Sequence, residues 1–391
     1  MLLTIISLLT LITIGVDILH IYRAHRRERP LSIFSLLGIA VSDLLLPTVA
    51  IVALCSQDNT TEFMLFAMWI FWFWMLFVLP RMIYYLFRLL HLPKIGYIVA
   101  GAVALFLIWG ATIGRTSIRV KRIDITSDRL PKSFDGLRIV QLSDIHIGTL
   151  VCPEQELQRI VDSVAALRPD LIIFTGDLVN IRASELDSKV QRILGSLQAP
   201  FGVFSVLGNH DIGTYIRNTS RQSSAESLAD LLKRQKQMGW QVLQDTTLYL
   251  HRNNECITLS GISFDPALRK LRHDAKLPPA RLDVVYRDIP DSLYNITAVH
   301  LPQLWSQVIN AGYGDLTLSG HVHAMQMKLH LFGKVFSPSQ WLYNEWSGRY
   351  DNGRHTLYIN DGTGYVAYPM RLGAWPEITL FTLRSNCPNN F

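Results

Sequence analysis

The run LRIVQLSDIHIG, residues 137–148, decides the fold. It has strand character up to Leu142 and then ends abruptly in Asp144-Ile145-His146. On an extended chain, side chains two residues apart point the same way. Asp144 and His146 can therefore aim a carboxylate and an imidazole at one point beyond a strand end. That is half of a metal site.

Downstream, the same grammar repeats: a short apolar run, a polar signature, then a helical pattern. Leu157, Ile160, Val161, Val164 and Leu167 recur at helical spacing, with Pro153 suited to a first turn. A second strand at 171–175 closes in Gly176-Asp177. Val190, Ile193, Leu194 and Leu197 mark another amphipathic helix, and a third strand at 203–207 closes in Gly208-Asn209-His210-Asp211. Leu228, Leu231 and Leu232 mark a further helix within the polar stretch 218–239. Short strands follow at 240–243, 247–250 and 257–259. Later strands at 295–299 and 316–319 end in His300 and in Gly320-His321-Val322-His323. Strand character returns at 356–359 and 378–383, around a glycine-containing turn at 361–364. Strands alternating with helices predict a mainly parallel layer flanked by helices, and in such sheets ligands bind beyond the carboxyl ends of the strands. Every polar signature falls at such an end. The charged, proline-punctuated stretch 265–290 reads as a surface excursion over the site, forming an apolar lid with residues 341–346.

Upstream, four long apolar segments occupy 2–22, 31–55, 63–87 and 95–114. Each reaches the roughly 20 mostly apolar residues needed to span a bilayer. The first lacks a basic start and is followed by further spans, which excludes a cleaved signal peptide. The 23–30 loop holds four arginines, whereas the 56–62 connection has two acids and no Lys or Arg. By the positive-inside rule the basic loops are cytoplasmic, so four spans leave the domain that follows outside. The basic residues Arg115, Arg119, Lys121 and Arg122 just after the last span pull the other way. Asp17 and Asp43 fall inside predicted spans, where a charge is costly; we expect each to be paired within the bundle or to lie near a helix end.

From Arg115 onward, 30 basic residues face 26 acidic ones, which is no nucleic-acid footprint. Cys55, Cys152, Cys256 and Cys387 form neither a disulfide framework nor a C-x-x-C metal pair.

A lone D-x-H or H-x-H pair is more often structural than ligating. Five signatures in one order, each at a strand end, are another matter. Two neighbouring cations need a bridging carboxylate plus oxygen and nitrogen donors on each side. Asp144, His146, Asp177, Asn209, His300, His321 and His323 supply that set, with Asp177 the natural bridge. Glycines 176, 208 and 320 precede the ligands where the backbone must turn tightly.

These motifs resemble the calcineurin-like metallophosphoesterases over about 137–383. The resemblance implies an α/β fold, a calcineurin-like two-sheet α/β sandwich at 137–391. It follows a connector at 115–136 and an all-α region of about four transmembrane helices at 1–114. It implies two divalent metal ions of the Mn, Fe or Zn type. Asp144, His146, Asp177 and His323 would hold one, and Asp177, Asn209, His300 and His321 the other. Ser337, the 361–364 turn, Pro369 and Pro376-Glu377-Ile378 resemble a bacterial membrane-attached branch, which implies an inner-membrane location. Asn180 departs from the pattern, standing where many relatives carry a second acid.

The implied reaction is hydrolysis of a phosphomonoester, phosphodiester or pyrophosphate by metal-activated water. His210 would donate a proton to the leaving group, with Asp211 orienting it through the other ring nitrogen. Expected partners are the lipid bilayer and a phosphorylated substrate, lipid-borne by association with the spans. A metal-stabilised binding or sensor module is the rival, but a pure binder has no need of His210.

Overall fold

The computed structural model describes residues 2–26, 28, 30–56, 58–217, 222–265 and 279–386. The chain divides into two compact units, one of Met1–Gly114 with Val366–Met370, the other of Arg115–Tyr365 with Arg371–Phe391.

The first unit is helical: α1 (Leu2–Arg26), α2 (Ile33–Cys55), α3 (Thr61–Leu89) and α4 (Pro93–Thr112). All four are long and apolar enough to cross a membrane. Ser32 and Thr60 cap α2 and α3 by accepting from the Ser35 and Phe63 N–H groups, and α4 starts on Pro93. Many large side chains face outward, Phe34 at 82% and Leu11 at 69% exposure among them, as lipid-facing helices require. Asp17 and Asp43 instead turn inward. Both pair with Arg81, at 2.8 Å for Asp17, and Arg81 also donates to Ser42 while the Tyr85 hydroxyl donates to Asp17. The expected pairing within the bundle is what the helices contain, with Arg81 as the cation that ties α1, α2 and α3 together.

The second unit is α/β. In chain order it runs β1 (Arg119–Ser127), β2 (Arg138–Leu142), α5 (Pro153–Ala166), β3 (Leu171–Phe174), α6 (Ser188–Leu194), β4 (Val203–Ser205), α7 (Ser224–Gln237) and β5 (Trp240–Val242). There follow β6 (Thr246–Arg252), β7 (Glu255–Ile262), α8 (Leu282–Val285), β8 (Asn295–Val299), α9 (Trp305–Asn310) and β9 (Leu316–Ser319). The hairpin β10 (Leu329–Leu331) and β11 (Lys334–Phe336) precedes β12 (Gly348–Asn352), β13 (His355–Ile359) and β14 (Glu377–Ser385).

Among the described residues these strands form two six-stranded sheets and the separate β10–β11 hairpin, the sheets in the orders β1-β14-β2-β3-β4-β5 and β12-β13-β9-β8-β7-β6. Strands β2 to β5 are parallel, as are β7, β8, β9 and β13; the sheet margins are mixed. Alternate residues of the two sheets, Ile139, Leu171 and Ile173 from one and Ile296, Leu316 and Leu318 from the other, share one buried core. Residues 115–136, read as a connector, hold β1, which pairs with β14 over nine residues and belongs to the first sheet. Its inward residues Lys121, Ile123 and Ile125 alternate with exposed Arg122 and Asp124, but only Ile125 is fully buried and the charges mask the pattern in the sequence. Half of the 265–290 excursion, residues 266–278, lies outside the described residues.

Candidate metal centre

Within each sheet the parallel strands end on the same side, and the loops after β2, β3 and β4 of the first sheet meet those after β8 and β9 of the second. Their polar residues converge. His323 Nε2 lies 3.1 Å from Asp144 Oδ1 and 3.0 Å from His146 Nε2, and His146 Nε2 lies 3.7 Å from Asp177 Oδ2. The same Asp177 oxygen is 3.2 Å from His300 Nε2. Asn209 Oδ1 sits 3.0 Å from His300 Nε2 and 2.9 Å from His321 Nδ1. Two groups of donors result, Asp144–His146–Asp177–His323 and Asp177–His300–His321, with donor atoms inside 4.8 Å of one another and Asp177 in both.

The donors fit metal ions. Nitrogen and oxygen ligands at about 2.1 Å from one cation stand about 3.0–3.4 Å apart at octahedral or tetrahedral angles. The observed spacings cluster there. The Nδ1 atoms of His146 and His323 are buried without a hydrogen-bond partner, so each ring's contacts are concentrated on the Nε2 that faces the centre. His300 is oriented from behind, its Nδ1 2.8 Å from the Thr175 carbonyl oxygen.

The electrostatics agree. Burial alone would push the Asp144 carboxyl up, but the His323 imidazole outweighs it and leaves Asp144 at about 2. Burial likewise opposes ionisation of Asp177, and His300 and His210 overcome it, holding Asp177 well below the usual carboxylate range. Burial would lower His300, yet Asp177 raises it to about 9; burial takes His321 down to about 3. A buried carboxylate that draws a proton onto its neighbouring imidazole is one that will exchange that proton for a cation.

The predicted ligands converge, but not by strand alternation. Asp144 and His146 lie past the end of β2, both in left-handed backbone with φ 52° and 48°, so strand alternation does not align them. Asp177, His321 and His323 share that conformation, at φ 58°, 72° and 51°. Left-handed backbone at non-glycine residues concentrates at functional sites. Glycine works around them: Gly176 has φ 94°, and a Cβ on Gly208 would collide with Asp177.

Asp211 does not orient His210. Its two carboxylate oxygens accept from the backbone N–H groups of Asp177, Leu178, Val179 and Gly208 at 2.8–3.1 Å. It thus locks the β3 loop to the β4 loop. Burial and the Asp177 charge push its carboxyl up to about 7, and a cation on Asp177 would relieve that repulsion. The His210 ring is fixed by Asn180, whose carbonyl oxygen lies 2.6 Å from His210 Nδ1. Asn180, the departure from the family pattern, therefore acts here through its main chain. Sequence reasoning also missed Tyr215. Its ring stacks on His210 with centroids 4.3 Å apart, and its hydroxyl accepts from Asn209 Nδ2 at 3.0 Å, which turns Asn209 Oδ1 to the centre. No motif marks Tyr215; it is one tyrosine in a polar loop.

Sheets, strand-end loops and an Asp/His donor cluster together define a metal-dependent hydrolase of phosphoric esters, and comparison with known proteins agrees. A family model described as calcineurin-like phosphoesterase matches residues 137–325. An uncharacterized metallophosphoesterase of Bacillus subtilis, YkuE, is 31% identical over 265 residues, covering 67% of this chain and 84% of that protein. A zebrafish (Danio rerio) transmembrane protein with metallophosphoesterase domain is 31% identical, over 72% of this chain and 61% of that protein. The UDP-2,3-diacylglucosamine pyrophosphatase LpxG of Chlamydia muridarum is 26% identical, over 74% of this chain and 94% of that protein. The chain belongs to the calcineurin-like metallophosphoesterases.

Proposed function

We propose that this protein is a membrane-anchored metallophosphoesterase that cleaves a phosphoester or pyrophosphate bond in a lipid-linked substrate. The observation that carries the reading is Asp177, whose carboxylate belongs to both donor groups. Asp144, His146, Asp177 and His323 hold one divalent cation of the Mn, Fe or Zn type; Asp177, Asn209, His300 and His321 hold the other. When bound, such a pair supplies positive charge for phosphoryl oxygens and makes a water acidic enough to attack phosphorus.

The chain's own residues do the rest. The Asp144 and Asp177 carboxylates are kept ionised against burial by the imidazoles around them. With Nδ1 held on the Asn180 carbonyl, His210 exchanges its second proton at Nε2. Protonated there, it donates to the departing oxygen. Asp211 is a positioning residue: through four N–H groups it sets where Asp177 stands relative to Asn209 and His210.

Two observations support a lipid-linked substrate. Four helices of spanning length tether the domain, and the LpxG relative is named for a pyrophosphate joined to a diacyl sugar. The arginines of the 23–30 loop support an extracytoplasmic catalytic domain. The test is a substrate panel for the full-length protein in lipid nanodiscs with added manganese: aryl phosphate, aryl phosphodiester, lipid phosphate and lipid pyrophosphate. Preference for the lipid species is expected. Activity confined to water-soluble esters rejects the lipid-linked part, and a metal-replete protein inert on the whole panel rejects hydrolysis.

A further inference from the structure

The β10–β11 hairpin is the least soluble-looking feature of the catalytic unit. It begins six residues after His323 and pairs Leu329 with Phe336, His330 with Val335 and Leu331 with Lys334. All six strand residues are exposed, which no water-facing hairpin of this composition needs. Leu329, Leu331, Val335 and Phe336 are each 39–49% exposed, and Phe332 at the tip is fully exposed. Just beyond β11, Trp341 is 79% and Leu342 43% exposed. Contiguous apolar exposure of this kind marks an interaction site.

The tip adds a second observation. A two-residue hairpin turn with left-handed backbone at both positions favours Asn-Gly or Asp-Gly. Here Phe332 occupies the first position at φ 50°, followed by Gly333 at 75°. A bulky aromatic held in strained backbone at full exposure is a feature that folding alone would not select.

A third observation identifies the occupant. Residues 113–118 separate the last apolar helix from Arg119. Fully extended, that tether reaches about 20 Å. Arg119 and Lys121 line, with His330 and Val335, a single cavity of about 540 Å³ that Trp346 and Trp375 also border. The hairpin therefore stands beside the very strand that the membrane tether enters. It carries Lys334 and His330 among its apolar residues, and Trp341 follows it. Apolar, aromatic and basic residues together are the composition of an element lying at a headgroup–acyl boundary.

We propose that the β10–β11 hairpin, with Trp341 and Leu342, is a membrane-interface element that seats the catalytic unit on the bilayer. Phe332 and its apolar neighbours enter the acyl boundary and Lys334 meets lipid phosphate. The hairpin springs from the loop of His323, so its docking holds the metal centre at the lipid surface. This rests on the reading that α1–α4 span that bilayer.

The test uses the full chain in nanodiscs of phosphatidylethanolamine and phosphatidylglycerol, with Cys55, Cys152, Cys256 and Cys387 replaced by serine. An environment-sensitive fluorophore is placed at Phe332→Cys and, as control, at Asn253→Cys in the exposed β6–β7 turn. Expected at 332 is a blue-shifted emission quenched severalfold by brominated acyl chains, with neither effect at 253. Water-like, unquenched emission at 332 overturns the proposal even if the same discs hydrolyse aryl phosphate, in which case the metal-site reading survives. Failure of the chain to enter discs overturns this inference and the membrane reading together. In a second variant, Phe332→Asp with Leu331→Asp, cleavage of bilayer-embedded phosphate should fall at least roughly fivefold and aryl phosphate cleavage should hold. Equal loss on both would show that the hairpin shapes the site rather than docking it.

Discussion

The helical unit and the catalytic unit each bury a pair of aspartates, and each pair is answered differently. Asp17 and Asp43 meet Arg81, a cation fixed in the chain. Asp144 and Asp177 meet imidazoles, His323 for one and His146 and His300 for the other. Burying carboxylates is expensive in both places. A guanidinium is a permanent partner, and it makes the first cluster a brace. Imidazoles are themselves donors of lone pairs, and two carboxylates ringed by them form a seat for exchangeable cations. The identity of the counter-charge, more than the burial of the acids, separates structure from chemistry.

The sharpest way to break this contrast is Asp177→Asn. It should lose bound metal and activity together, with turnover down by more than the roughly 10–100-fold typical of an outer-shell change. Metal analysis alongside turnover checks it, and a metal-replete, active variant would remove the shared-carboxylate assignment. Next, His210→Ala should keep its metal and lose about 10²–10⁴ in kcat; full activity would refute the acid role. In the brace, Arg81→Met strands two buried carboxylates and should cost about 3 kcal/mol in thermal denaturation. Adding Asp17→Asn and Asp43→Asn should recover much of that, and if those changes deepen the loss the brace is misread. Tyr215→Phe should weaken metal binding about 10-fold by freeing the Asn209 amide, read by metal titration at unchanged melting temperature.

A third buried acid cluster gives the smallest effect and refines the rule. Asp361 is paired with Lys328 and Lys121, and Glu377 with Lys121, so lysines brace the catalytic unit where Arg81 braces the helices. Burial opposes ionisation of Asp361, but Lys328 and Lys121 win and hold its carboxyl below the ordinary value. A depressed carboxylate contributes stability above its unfolded value of about 3.9, lost as pH falls through its folded value. The stability difference between wild type and Lys328→Met should thus be flat near neutrality and shrink only on acidification below about pH 4. A difference that grows with acid would contradict the pairing.

Much of the catalytic unit was readable because strands that end in ligands carry two signals at once, an apolar run and a polar stop. Leu137 to Leu142 and Leu316 to Ser319 are examples. What escaped reading was whatever depends on partners distant in sequence. The role of Asp211 could not be inferred from its neighbour His210, because its hydrogen bonds go to main-chain groups 32 to 34 positions away in all but one case. Arg81 sits 38 and 64 residues from its two acids. The β1 strand read only as a short extended piece of a basic connector, because Arg119, Lys121, Arg122 and Asp124 leave just Ile123 and Ile125 to mark its inward face. The β10–β11 hairpin hid for a related reason: three-residue strands joined by Phe-Gly lack the usual turn signal.

The left-handed backbone shared by Asp144, His146, Asp177, His321 and His323 reaches beyond the chemistry. Each such residue holds a conformation the free chain would rarely visit, so the ring of ligands resembles a set spring rather than a relaxed cup. An ion held by these residues would complete the folding of the loops as well as arm them. The stripped protein should therefore exchange its amides there faster than the metal-loaded protein does.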